Sequence, residues 1–385
     1  MSTICPAVWD HLCINTAGKN RLCCNAVTQE NDWFLENYDA HWTDFRNTIK
    51  EQMLAGAKPN ACKSCWQKEA IGITSLREQF IQNYQIRNQS LDFSNRDFPL
   101  ELDLKLGNYC NLSCRMCSSF SSSTYAKEFK TIYKDTGVDY GVDAYEKDYV
   151  QNKWYNDPRF VTAIKDMIDN GLRQLKFTGG EPLMVPAVRT LLEYCIETNK
   201  SNNIDLVLIT NGTLLDSNWI NILNQFKHVS LIFSIDGVED TFEYIRHPAK
   251  WTQIQTAFAL LKDTSFYKAI TFTLQVYNVL DIANIIKLSR IQNFNIDAII
   301  LDNPSYLDVK HIPTLLNEKA ISILQTLSAR NENEQLFISN IYNKLITGDF
   351  NVDQCNKLIN LSKLKDGYKQ QDFNKLEVAK YYDNI

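Results

Sequence analysis

Eleven cysteines stand in this chain of 385 residues, and three of them, Cys110, Cys114 and Cys117, fall in the stretch Cys-Asn-Leu-Ser-Cys-Arg-Met-Cys. That spacing wraps three thiolates round one small inorganic cluster, and Gly107 and Asn108 let the alternating run Leu100 to Leu106 turn into the loop. Three cysteines are one short of the usual four ligands. A four-iron four-sulfur cube held this way keeps one iron open for a small molecule. A tetrahedral zinc would want a fourth ligand nearby, and no His or Cys lies between Cys117 and Cys195.

Further along stand residues suited to holding a charged, polar ligand. Thr178, Gly179, Gly180, Glu181 and Pro182 stand at the end of the strand expected at Gln174 to Thr178. The paired glycines permit an unusual turn and leave room for a ligand amino group to approach main-chain carbonyls, while Glu181 complements an ammonium. Arg246, in Tyr244-Ile-Arg-His-Pro248, offers a guanidinium fork for a carboxylate. His247 beside it reads as structural.

The three-cysteine stretch resembles the signature of the radical S-adenosylmethionine (radical SAM) enzymes. The resemblance implies a 4Fe-4S cluster on Cys110, Cys114 and Cys117 that chelates S-adenosylmethionine, cleaves it reductively and releases a 5′-deoxyadenosyl radical. Thr178 to Pro182 matches the family's Gly-Gly-Glu-Pro motif, which receives the methionyl amino group, and Arg246 matches the arginine that pairs with the methionyl carboxylate. Thr210-Asn211-Gly212 and Ser234-Ile-Asp236-Gly237 supply donors and acceptors suited to ribose hydroxyls. The latter resembles the Ser-x-Asp-Gly motif of SPASM and twitch enzymes. Leu274 falls on the family strand that lies along the adenine. Met116 stands where many members carry an aromatic, and its thioether can fill that gap.

Two more cysteine pairs lie near the N-terminus. Cys5 and Cys23 frame Gly18 as Cys-x12-Gly-x4-Cys, and Cys62-Lys-Ser-Cys65 follows after a gap. The pattern looks like the twitch domain, a shortened SPASM domain, here preceding the radical SAM core. The resemblance makes Cys5, Cys23, Cys62 and Cys65 ligands of a second, auxiliary 4Fe-4S cluster, with Gly18 at the tip of a hairpin. Cys24 could replace Cys23, because neighbouring strand residues point to opposite faces. The same four residues would also build a structural zinc site. Cys13, Cys24, Cys195 and Cys355 are read as small buried hydrophobes.

These residues need elements to position them. From 98 to 310 the chain alternates β-branched runs with helical patterns, the mark of βα units on a parallel sheet. Strands are expected at 100–106, 174–178, 205–210, 229–234, 269–276 and 298–301. Helices are expected between them at 160–170, 185–198, 217–225, 252–261 and 282–291. The fold class is α/β, and six such units match the partial (β/α)6 TIM-like barrel of the radical SAM fold, whose chemistry sits at the C-terminal strand ends. Residues 1–95 form the cysteine-rich domain, 118–157 a mostly helical insertion in the barrel, and 311–385 a helical C-terminal extension. Lys357 to Lys369 reads there as a solvated face.

A net charge of −5 gives no basic field for duplex nucleic acid. No signal peptide or membrane-spanning run is present, and eleven cysteines without an export signal suit metal ligation in a reducing compartment, so the expected location is the cytoplasm. Twitch and SPASM enzymes act mostly on peptides or proteins, which makes such a substrate the leading expectation. A small molecule such as a carbohydrate or nucleotide is the alternative, and a non-enzymatic iron-sulfur or zinc scaffold the second. A flavodoxin or ferredoxin electron donor is implied. The sequence names no base or radical-quenching residue and no oligomeric state.

Overall fold

The computed structural model describes residues 3–383 apart from 28, 30–31, 37–42, 71, 73, 87–96 and 141–152. Part of the expected insertion therefore lies outside the described residues. The chain divides into two compact units, one of residues 1–109, 151–208 and 222–229, the other of 110–150, 209–221 and 230–385.

The strands are β1 (His11–Ile14), β2 (Asn20–Arg21), β3 (Glu101–Lys105), β4 (Gln174–Thr178), β5 (Asp205–Thr210), β6 (His228–Ser234), β7 (Tyr267–Leu274) and β8 (Asn295–Ile300). From β3 onward these are the six expected strands, to within a few residues at each end. Helices Pro158–Asp169, Pro186–Glu197, Ser217–Leu223, Trp251–Leu260 and Ile282–Gln292 fall between them as the periodicity predicts. The result is the α/β fold with parallel strands and helical crossovers expected of a partial barrel.

In the first unit the strand order is β2-β1-β3-β4-β5. Leu102 pairs in register with Leu175, and Leu104 with Phe177. Leu102, Leu104, Leu175, Phe177, Leu206 and Leu208 are all fully buried. The alternating residues of β3 and β4 make a polar face, on which Lys176 bonds Asp103 at 2.9 Å. The alternation follows from packing only one face under helices.

β1 is new. It runs parallel to β3, with His11 opposite Glu101 and Cys13 opposite Asp103, and antiparallel to β2. β1 and β2 form the expected hairpin, and Gly18 turns it at φ +89°, a left-handed conformation that favours glycine. A Cβ there would also come within 2.9 Å of the Trp154 ring.

In the second unit the order is β6-β7-β8. Phe233 lies edge-on to Phe258 with centroids 5.5 Å apart and stacks on Phe294. Such pairs add about 1 kcal/mol each beyond area burial. Helices Thr314–Gln325, Glu332–Leu345 and Val352–Lys369 form the helical C-terminal extension. One expectation fails here. Lys357 and Lys363 are exposed, but Lys365 and Lys369 are 2% and 4% exposed, because they bond the cysteine loop instead of water. Among the described residues no helix is long and apolar enough to cross a membrane.

Candidate functional site

The loop after β3 carries Cys110, Cys114 and Cys117, the first two buried and the third half-buried. Helix Ser123–Thr136 fixes its shape from one side. Ser122 caps that helix by accepting from the Tyr125 N–H, and its hydroxyl donates to the Leu112 carbonyl at 2.5 Å. Thr124 donates to the Cys110 carbonyl at 2.6 Å. The segment after Ser234 supports the loop's middle, where the Ser113 N–H donates to His247 O at 2.7 Å and the Arg115 N–H to Ile245 O at 2.9 Å.

Arg246 is drawn to this loop. Its Nη1 lies 3.9 Å from Cys114 Sγ, while Nη2 pairs with the fully buried Asp236 at 2.7 Å. Asp236 also accepts from the Thr273 N–H at 2.8 Å, and its carbonyl accepts from Asn278 Nδ2 at 2.9 Å. Burial works against the guanidinium's charge, but Asp236, Cys114 and Cys117 outweigh it and hold the pKa above its ordinary value. Burial pushes the Cys114 thiol up, with Arg246 pulling the other way. Cys117 is raised by burial and then by the other two cysteines of the loop.

Asn211 serves the same loop. Its Nδ2 donates to Asn111 Oδ1 at 2.9 Å, and Asn111 Nδ2 donates to Thr213 Oγ1 at 2.9 Å. The Thr213 N–H and hydroxyl both donate to Asn211 Oδ1, which closes a polar network between the cysteine loop and the turn after β5. Ser234 stands half-buried at the end of β6, and Leu274 is fully buried at the end of β7. Met116 is half-buried in the cysteine loop.

In the other unit, Thr178 closes β4 and its Oγ1 accepts from the Gly179 N–H at 2.6 Å. The two glycines that follow have a packing reason. A Cβ on Gly180 would sit 2.3 Å from the Tyr109 carbonyl oxygen, and one on Gly179 would sit 3.0 Å from that of Gly107. Only glycine lets the turn after β4 lie this close on the chain that leads to Cys110. The fully buried Glu181 accepts from the Leu183 N–H at 3.1 Å.

Four cysteines gather in the N-terminal region. Cys5, Cys23, Cys62 and Cys65 line one small cavity with Arg77, Phe80 and apolar neighbours. Cys24 is not among the lining residues. Burial pushes the Cys23 thiol up to about 11 and the Cys62 thiol up to about 12, and the neighbouring thiols add to it. Arg77 is locked beside them by a bidentate pair with Glu69, at 2.9 and 2.7 Å, and by a bond to Ile4 O at 3.0 Å.

Among the described residues no three His, Cys, Asp or Glu converge tightly enough to hold a single metal ion. Three thiols on one loop and four round one cavity are donor sets whose chemistry suits an iron-sulfur cluster, and the set of four would equally serve a tetrahedral zinc. The buried Arg246 facing Cys114 suits the anionic charge such a cluster carries.

The sequence did not point to Arg115, Asn111, Thr213 or Lys369. Arg115, 1% exposed, lies in the quoted motif but between two ligand candidates, and its partners come more than a hundred residues later. The only sequence signal was its charge inside an otherwise uncharged loop.

Residues 104–288 match the model of the Radical SAM superfamily. The sporulation killing factor maturation protein SkfB of Bacillus subtilis is 22% identical over 148 residues, 38% of this chain and 29% of that protein. The uncharacterized protein MJ0907 of Methanocaldococcus jannaschii is 27% identical over 139 residues, 36% of this chain and 39% of the relative. The chain thus spans well under half the length of these curated relatives. SuiB of Streptococcus suis, in a crystal structure with S-adenosylmethionine, is 13% identical with a TM-score of 0.41, covering 83% of this chain and 70% of that one. Residues 104–288, with the three-cysteine loop at their start, thus match the Radical SAM superfamily, whose enzymes use a 4Fe-4S cluster and S-adenosylmethionine.

Proposed function

We propose that this chain is a radical SAM enzyme acting on a peptide or protein substrate, with a second cluster in its N-terminal region carrying electrons. The observation that carries the reading is the buried cysteine loop, with the charged Arg246 held 3.9 Å from Cys114 Sγ by Asp236. When bound, the cluster and S-adenosylmethionine supply a carbon radical able to take hydrogen from an unactivated carbon.

The protein's part is to hold and to exclude. Cys110, Cys114 and Cys117 would ligate the cluster. Asp236 keeps Arg246 ionised and aimed, so that the guanidinium can neutralise charge at the loop and offer its fork to a carboxylate. Glu181, Ser234 and Asn211 would receive the amino and hydroxyl groups of S-adenosylmethionine, and Met116 and Leu274 would pack against its ring. Cys5, Cys23, Cys62 and Cys65 would ligate the auxiliary cluster. Four protein thiolates leave no open iron, which favours electron carriage over substrate binding.

The peptide substrate is supported by the maturation role in the name of the Bacillus subtilis relative and by the twitch-like cysteine pattern. A low-potential flavodoxin or ferredoxin would deliver the electron.

The test is anaerobic reconstitution, then incubation with S-adenosylmethionine and dithionite while 5′-deoxyadenosine is followed by mass spectrometry. The expected result is 5′-deoxyadenosine that is lost in Cys114→Ala. Co-expression with short peptides encoded beside this chain should yield a peptide with a mass loss or crosslink. A protein that holds its iron but gives no 5′-deoxyadenosine with or without those peptides would overturn the reading. Turnover only with a sugar or nucleotide would replace the peptide with a small molecule.

A further inference from the structure

The extension at 311–385 carries no recognisable motif, yet its last long helix, Val352–Lys369, lies on the cysteine loop. Lys369 Nζ donates to Ser113 O at 2.8 Å and to Ser113 Oγ at 3.0 Å, and pairs with Glu128 at 2.5 Å. Ser113 Oγ in turn donates to Glu128 at 2.7 Å. On the other side of Cys114, Arg115 pairs with Asp366 and donates to Gln371 Oε1 at 2.9 Å and Tyr244 O at 2.9 Å. Its guanidinium stacks on the Tyr244 ring at 3.6 Å. Lys365 Nζ reaches Arg115 O at 3.5 Å.

Both neighbours of Cys114 are thus held by one helix and the turn after it. The groups that bond the main-chain carbonyls of Ser113 and Arg115 are cations. For stability alone this is an expensive arrangement, since apolar residues of similar volume often replace buried ion pairs at no loss. What apolar residues could not supply is positive charge bonded to the residues on either side of Cys114. A cluster on three thiolates is an anion, and taking up one electron makes it more so.

We propose that Val352–Lys369 is a cationic clasp on the cysteine loop, in which Lys369 is a positioning residue that fixes Cys114 and favours the reduced cluster. The proposal rests on the cluster reading above. It is tested without turnover. Wild type, Lys369→Met, Lys369→Arg and Glu128→Gln are reconstituted anaerobically, with Lys357→Met as an exposed control on the same helix. Cysteine-loop iron is defined as the iron missing from Cys114→Ala. Its release to a chelator and its midpoint potential against dithionite-reduced mediators are then measured, the cluster gaining one electron from the mediator.

Lys369→Met should release that iron faster, on the order of tenfold, and should lower the midpoint potential. Lys369→Arg should restore both. Glu128→Gln removes a negative charge beside Lys369, and so should raise the potential, a change of opposite sign that mere loosening would not give. Glu128→Gln also keeps the test alive if Lys369→Met fails to fold. Unchanged potential and release in Lys369→Met, or a lowered potential in Glu128→Gln, would overturn the clasp. If S-adenosylmethionine leaves the wild-type cluster's electron paramagnetic resonance spectrum unaltered, the radical SAM reading of the site falls, while the iron and potential data still decide the clasp.

Discussion

At the residue scale, the Gly-Gly turn after β4 has a purely steric requirement that coexists with any ligand role. The hypothetical Cβ of Gly180 meets backbone, not a side chain that could swing away, at 2.3 Å from Tyr109 O. Gly180→Ala should therefore cost about 1–3 kcal/mol as overpacking, read as a lowered midpoint in chemical denaturation. Unchanged stability would mean that the turn after β4 relaxes freely. His247 offers a second test. Burial and then Lys369 disfavour its charged form and bring its pKa from 6.5 down to about 4, with Glu128 opposing. A depressed histidine contributes stability that is present above pH 6.5 and is lost as pH falls through about 4, because the unfolded chain takes up the proton first. Stability of the metal-free protein should decline across that window, and His247→Asn should flatten this part of the decline. An equal slope in the variant would assign the acid sensitivity elsewhere.

Elements explain how far the chain could be read in advance. β3 and β4 were legible because their residues alternate apolar with polar, so the period of two survives in the sequence, and β5 to β7 because they are short runs rich in apolar and β-branched residues. β1 was not. His11–Ile14 is four buried residues with no alternation, and its parallel partner β3 lies about ninety residues away. The cysteine loop's candidate ligands stand out in the sequence by their spacing, but its supports do not, since Asn211, Asp366 and Lys369 reach it only through the fold. The same blindness made Lys365 and Lys369 look like a solvated face. Trp154 shows how one side chain ties elements together. Its indole donates to Thr16 O at 3.1 Å, covers Gly18 in the β1–β2 hairpin, and meets Phe160 edge-on with centroids 5.0 Å apart. Trp154→Ala should cost about 3–5 kcal/mol and loosen the hairpin that separates Cys5 from Cys23. Equilibrium denaturation measures the first, and retention of the iron that depends on Cys65 measures the second. Full retention in a destabilised variant would show that the four-cysteine cavity stands without the hairpin's anchor.

For the whole molecule, what matters is that each cysteine set lies within one compact unit. Cys5, Cys23, Cys62 and Cys65 belong to the first, and Cys110, Cys114 and Cys117 to the second. A cluster ligated inside one unit draws its binding free energy from order in that unit, so loss of one cluster should leave the other's ligands in place. If both sites take a cubane, the reconstituted chain should hold roughly eight irons. Cys65→Ala should keep about half, together with the signal that S-adenosylmethionine perturbs, and Cys114→Ala should keep the complementary half without it. Zinc in the half lost from Cys65→Ala would leave the radical chemistry in place and remove electron carriage from the N-terminal cavity. Loss of all iron in either single variant would mean that the two ligand sets are coupled through the fold, and would transfer the argument from separate sites to one cooperative assembly.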